Sequence, residues 1–158
     1  MTIITVNAPT GRIARDARAA LAETLTDAVL VPEIGQNVPA ARVGFQVLFS
    51  EYDPDMMAIG GQLVADTGAD AMVIDIAVME GDWPDETRAE VIRSTLGALA
   101  DALGLSDPSP SWCVTFRVIK EGSWGSHGDV LSIHDLVGTE VFSDAKAKAI
   151  SANVKKRG

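Results

Sequence analysis

Arg12, Arg42, Arg117, Trp124 and His127 are the side chains best suited to gripping an anion or moving a proton. A guanidinium grips a carboxylate through paired, charge-assisted hydrogen bonds. An imidazole exchanges protons near neutral pH. Each residue also has a plainer reading. Arg12, just after a turn, suits an exposed charge, and Arg42 and Arg117 suit a strand face or its flank, where Asp or Glu would pair with them. Trp124 suits a cap on the core. His127, in the turn Gly125-Ser126-His127-Gly128, suits an exposed turn position, and His134 suits a structural one. Ser126, His127 and Asp129 bring together the residue types of a hydrolase triad, but side chains this close in sequence rarely form one, and no nucleophile elbow accompanies them. Two histidines and one cysteine, Cys113, carry no metal-ligand spacing. Gly60-Gly61 lacks the lysine and helix start of a phosphate loop.

The elements that must position these residues begin at the first one. Thr2-Ile3-Ile4-Thr5-Val6 is β-branched and stops at Pro9-Thr10-Gly11, as a short strand does. A strand starting there holds the amine ahead of it in place, unlike most termini. A helix from Arg15 to about Leu30 follows, with Ala17, Ala20, Leu21, Thr24, Leu25, Ala28 and Val29 on one face and Pro32 just beyond its end. Val43, Phe45, Val47 and Phe49 alternate with Gly44, Gln46 and Leu48 as a half-buried strand. Ile59-Gly60-Gly61 makes a tight turn, and Gln62 to Asp70 a connector.

The pattern then recurs. Gly81 follows Gly11 by 70 residues, and Met72–Met79 is again an apolar strand. Asp82 is placed to cap a helix carrying Ala89, Ile92, Leu96, Leu99 and Leu103, with Gly104 as its stop. Trp112, Val114, Phe116 and Val118 alternate in a later strand. Trp124 to Gly128 is the counterpart of the first glycine turn. The chain reads as one α+β domain, 1–158. It is made of β-α-β unit one (2–66), β-α-β unit two (71–135) and a C-terminal tail (138–158). Ser143 is placed to cap a short helix in that tail, and the basic end from Lys155 reads as solvated. Right-handed crossovers place four strands in one sheet with both helices on one face. The other face carries Gln46, Leu48, Cys113, Thr115, Arg117 and Ile119, too apolar to stay fully wet, so other subunits should cover part of it.

Composition bounds the partners. The 158 residues suit one compact domain. With 22 Asp and Glu against 13 Lys and Arg, the net charge of −9 repels phosphate backbones and anionic lipid. Nucleic acid and membrane are therefore excluded as expected partners. A lone cysteine and the absence of a leader pattern point to the cytoplasm.

The stretches Thr2–Val6 with Gly11-Arg12, Val43–Glu51 with Ile59-Gly60-Gly61, Glu80-Gly81, and Trp124-Gly125 with Gly128 resemble the tautomerase superfamily. In particular they are similar to a fused, two-unit 4-oxalocrotonate tautomerase. The resemblance covers about residues 2–135 and implies a homotrimer acting on a small unsaturated or keto carboxylic acid, with no cofactor and no metal. It implies an amino-terminal proline as base, arginines on the substrate carboxylate and an aromatic side chain keeping the pocket dry. Arg12 matches the family arginine and Trp124 the aromatic position. The family's strand arginine falls on Gln46, and on Thr115 or Phe116 in the second unit; Arg42 and Arg117 lie close to those positions. Thr2 stands where the proline belongs, and Met72 in the second unit. Three readings follow: an isomerase or related hydratase or decarboxylase, an inactive relative that still binds an organic anion, and an enzyme using the primary amine of Thr2 after loss of Met1. The expected pocket holds Arg12, Arg117 and Trp124 together, with Thr2, Arg42 and His127 nearby.

Overall fold

The computed structural model describes residues 1–155. Strand β1 (Thr2–Pro9) leads into α1 (Arg15–Ile34), a 3-10 turn (Pro39–Gly44) and β2 (Phe45–Tyr52). A small hairpin, β3 (Ala58–Ile59) and β4 (Gln62–Leu63), and one helical turn, α2 (Val64–Thr67), end the first unit. The second unit repeats the plan with β5 (Met72–Met79), α3 (Asp85–Ala102), β6 (Trp112–Ile119) and the hairpin β7 (Trp124–Ser126) and β8 (Asp129–Leu131). Helices α4 (Ile133–Val137) and α5 (Asp144–Asn153) follow.

The main sheet has the order β2-β1-β5-β6. Each crossover pair, β1 with β2 and β5 with β6, is parallel, and the two units meet antiparallel at β1 and β5. The strand period of two decides which face is covered. Ile4, Val6, Ile74 and Ile76 point to the helical side and lie fully buried against Leu21, Leu25 and Val29 of α1 and Val91 and Leu99 of α3. Both helices therefore cover one face, as the pattern predicts. In α3 the fully buried positions include Val91 and Thr95, outside the face expected from Ala89 and Ile92.

Three local expectations change. Helix α1 does not stop before Pro32; it runs through that proline to Ile34 and ends at Gly35, whose φ of 75° is open to glycine. Leu30, Glu33 and Ile34 are all buried there, so packing offsets the lost backbone donor. Asp82 does not cap α3. Its carboxylate takes Lys146 Nζ at 2.9 Å instead, and Pro84 occupies the cap position. The strand expected from Val43 starts at Phe45, because Val43 lies in the 3-10 turn and is 89% exposed.

The segment after Gly138 packs onto its own chain. Ser143 caps α5, and its backbone N–H donates to Ile34 O at 2.8 Å. Phe142, Ile150 and Val154 join Leu30, Ile34 and Met79 in a second apolar cluster. The basic end read as solvated lies, from residue 156 on, outside the described residues. No helix among the described residues is long and apolar enough to cross a membrane.

Candidate active-site cleft

At the start of β1 the register lays four residues in a row across the uncovered sheet face. Gln46 stands beside Ile3, Ile3 beside Ala77, and Ala77 beside Arg117. The hairpin after β6 folds back over the end of this row and brings Trp124 with it. Met1, Gln46, Arg117, Trp124 and Ser126 line a cleft of about 400 Å³ there. Trp124 is half-buried and also packs against the second apolar cluster, so it serves both the cleft wall and the core.

The Arg117 guanidinium is held rather than free. Its Nε donates to Asp75 at 2.9 and 3.0 Å, and its Nη2 also pairs with Asp75. Thr115 Oγ1 donates to the same carboxylate at 2.8 Å. The hydrogen bonds from Arg117 hold the Asp75 carboxyl below its ordinary value, against the opposing effect of burial, and Thr115 adds to them. Asp75 thus ties the guanidinium to the neighbouring strand at the cleft.

Thr2, at the proline position, points the other way. Strand alternation sends its side chain to the helical face, fully buried, where Oγ1 donates to Glu33 Oε2 at 2.6 Å. Glu33 is 6% exposed. Burial pushes its carboxyl above the ordinary range; the nearby amino terminus, the Thr2 hydroxyl and Lys146 oppose that shift. The Met1 amine lies 3.7 Å from Met79 Sδ. Sequence reasoning missed Glu33. The signal was present: it follows Leu25 and Val29 at four-residue spacing, on the buried face of α1.

Other expected site residues lie elsewhere. Arg12 follows the far end of β1, on the order of 25 Å from the cleft by strand rise. There its Nε and Nη2 each donate to Asp70 at 2.8 Å, within a separate cleft of about 400 Å³ that includes Pro9 and Pro54. The pairing lowers the Asp70 carboxyl and raises the Arg12 guanidinium. One chain therefore does not bring Arg12 into the pocket with Arg117 and Trp124, because the arginine sits past the C-terminal end of the strand whose N-terminal end builds that pocket. Arg42 pairs with Asp27 on the side of α1 and does not line the cleft. His127 occupies the exposed tip of the β7–β8 hairpin at φ 53°. His134 sits in α4, with Nε2 buried and unpaired among the described residues. Among those residues no cluster of three or more His, Cys, Asp and Glu side chains is arranged to hold a metal ion.

No family model matches the sequence, and no curated protein matches it. Solved structures do match. A symmetric trimer of wild-type fused 4-OT is 22% identical, with a TM-score of 0.64 over 82% of this chain and 94% of that one. N1, a member of the cis-3-chloroacrylic acid dehalogenase family, is 19% identical, with a TM-score of 0.68 over 95% of this chain and 99% of that one. Macrophage migration inhibitory factor of Toxoplasma gondii is 15% identical, with a TM-score of 0.61 over 82% and 99%. Two β-α-β units on one four-stranded sheet and these likenesses agree: the chain has the fold shared by these tautomerase-superfamily structures and resembles fused 4-OT.

Proposed function

We propose that the chain binds a small unsaturated or keto carboxylic acid in the cleft at the start of β1, as a tautomerase-like protein. The observation that carries this reading is the meeting of Arg117, Trp124 and Met1 on one cleft wall. Arg117 offers its remaining donors to a carboxylate, Gln46 offers an amide beside it, and Trp124 limits water. Proline-type catalysis is weak in this scheme. Thr2 replaces the ring that would aim a secondary amine, and its side chain is turned into the core. A displacement of about 1 Å at a reacting group already costs about a hundredfold.

Assembly as a homotrimer belongs to the same proposal. Leu48 is 50% exposed on the uncovered sheet face, and Cys113 is exposed there too. The fused 4-OT structures are described as trimers. Light scattering should give three chains per particle, and a monomer at micromolar concentration contradicts the trimer.

The test of catalysis is turnover of an enol acid such as phenylenolpyruvate. The unaltered chain should give only a weak rate. Thr2→Pro with Met1 removed should raise it at least about tenfold, or about 1.4 kcal/mol of barrier. Fast turnover by the unaltered chain, with no gain from Thr2→Pro, excludes the amine as the missing group. The second reading, an inactive relative that binds organic anions, is favoured by the same buried Thr2 and requires binding without turnover in both forms.

A further inference from the structure

A second, half-enclosed cavity of about 140 Å³ lies behind Met1. It sits between the last turn of α1, the Pro39–Gly44 turn and the segment following α4. Ile34, Ala41, Phe45, Leu136 and Phe142 supply apolar walls. Glu33 supplies the polar contact, at 6% exposure. One of its oxygens, Oε2, takes the Thr2 hydroxyl. Among the described residues Oε1 has no hydrogen-bond partner. That oxygen is not sealed off from solvent, so a donor that enters the cavity can reach it and pair with it.

Size and charge narrow the occupant. An apolar cavity of about 150 Å³ holds one benzene-sized molecule. A cation is disfavoured, because the amino terminus and Lys146 already act on Glu33 from nearby. An anion is disfavoured by the carboxylate itself and by apolar walls that would strip its water. A neutral hydroxyl fits whichever protonation state Glu33 holds, since it donates to a carboxylate and both donates to and accepts from a carboxylic acid.

We propose that this cavity binds a small neutral apolar molecule, about the size of benzene, through a single hydroxyl that donates to Glu33 Oε1. Met1 forms part of both this cavity and the cleft, so one flexible, unbranched side chain divides them.

Phenol and toluene test this directly, being alike in size and differing in the hydroxyl. Methyl resonances of Ile34, Leu136 and Val141 should shift and saturate with phenol, and toluene should bind at least about tenfold more weakly, the worth of one hydrogen bond to a charged group. Ala41→Leu, which fills the cavity, should abolish the phenol shifts while leaving the sheet methyls in place. Glu33→Leu should weaken phenol at least about tenfold and leave toluene no weaker. The comparison of phenol with toluene on the unaltered chain needs no variant. Equal affinities overturn the proposal. So do phenol shifts at Ile3 and Ile119 in the cleft in place of those at Ile34 and Val141. Acid binding in the cleft does not enter this readout.

Discussion

Thr2 Oγ1 donates to Glu33 Oε2 at 2.6 Å across the buried junction of β1 and the last turn of α1. The bond joins the first strand residue to a carboxyl that water scarcely reaches. Thr2→Val keeps the shape and removes the donor. It should lower stability by about 1–3 kcal/mol, the usual cost of stranding a buried acceptor. Thr2→Val with Glu33→Leu should recover most of that loss, since replacing both partners by apolar groups is nearly neutral. Urea unfolding of the two single variants and the double variant measures the coupling.

Glu33 also sets a pH dependence. Burial raises its carboxyl, so the folded chain holds the proton more tightly than the unfolded chain. Above the ordinary glutamate value of about 4.3 the native state binds more protons, and stability falls as pH rises toward the folded value. Its contribution is fully present below that ordinary value. Asp70 and Asp75 act oppositely: each is lowered by its arginine, so each stabilises above about pH 3.9 and loses that effect as pH falls. Glu33→Gln should flatten the loss on the alkaline side and leave the acid limb unchanged. Urea midpoints measured from acid to neutral pH check both limbs.

Asp75 competes with any carboxylate for Arg117. Asp75→Asn removes the charge while keeping an acceptor, so it should tighten binding of a small keto acid several-fold. Arg117→Ala should weaken it at least about tenfold, in line with about 1.5–3 kcal/mol for a charged hydrogen bond. Calorimetric titration of both variants tests the opposed directions.

The C-terminal segment supports the site from below. Phe142 is 7% exposed and shares a cluster with Leu30, Ile34 and Met79, which lie around Glu33 and Met1. Phe142→Ala should destabilise the chain by about 3–5 kcal/mol. A change below about 1 kcal/mol, as at an ordinary surface position, would mean that the segment is dispensable.

The two-unit plan was legible because strand and helix periods differ, and because each unit repeats both. The glycine hairpins were legible from Gly60-Gly61 and from Gly128, which take positive φ. Glu33 was hidden by its residue type: a glutamate near a proline resembles a helix end, and only tertiary burial of Leu30 and Ile34 carries the helix past it. Asp82 resembled a cap for the same local reason, and its real partner, Lys146, lies 64 residues away. The placement of Arg12 depended on strand direction. A motif beside Gly11 specifies a neighbour in sequence, whereas the cleft forms at the opposite end of β1, from residues delivered by β2, β5 and β6.

The central claim is that the cleft at the start of β1 receives a small carboxylic acid through Arg117. Backbone amide spectra recorded during titration with a 2-keto acid such as phenylpyruvate test it most directly. The predicted result is saturable shifts at Ile3, Arg117 and Ser123 to Ser126, lost in Arg117→Ala. No saturation up to about 10 mM, above the usual KM range, or shifts confined to Arg12 and Asp70, would contradict it.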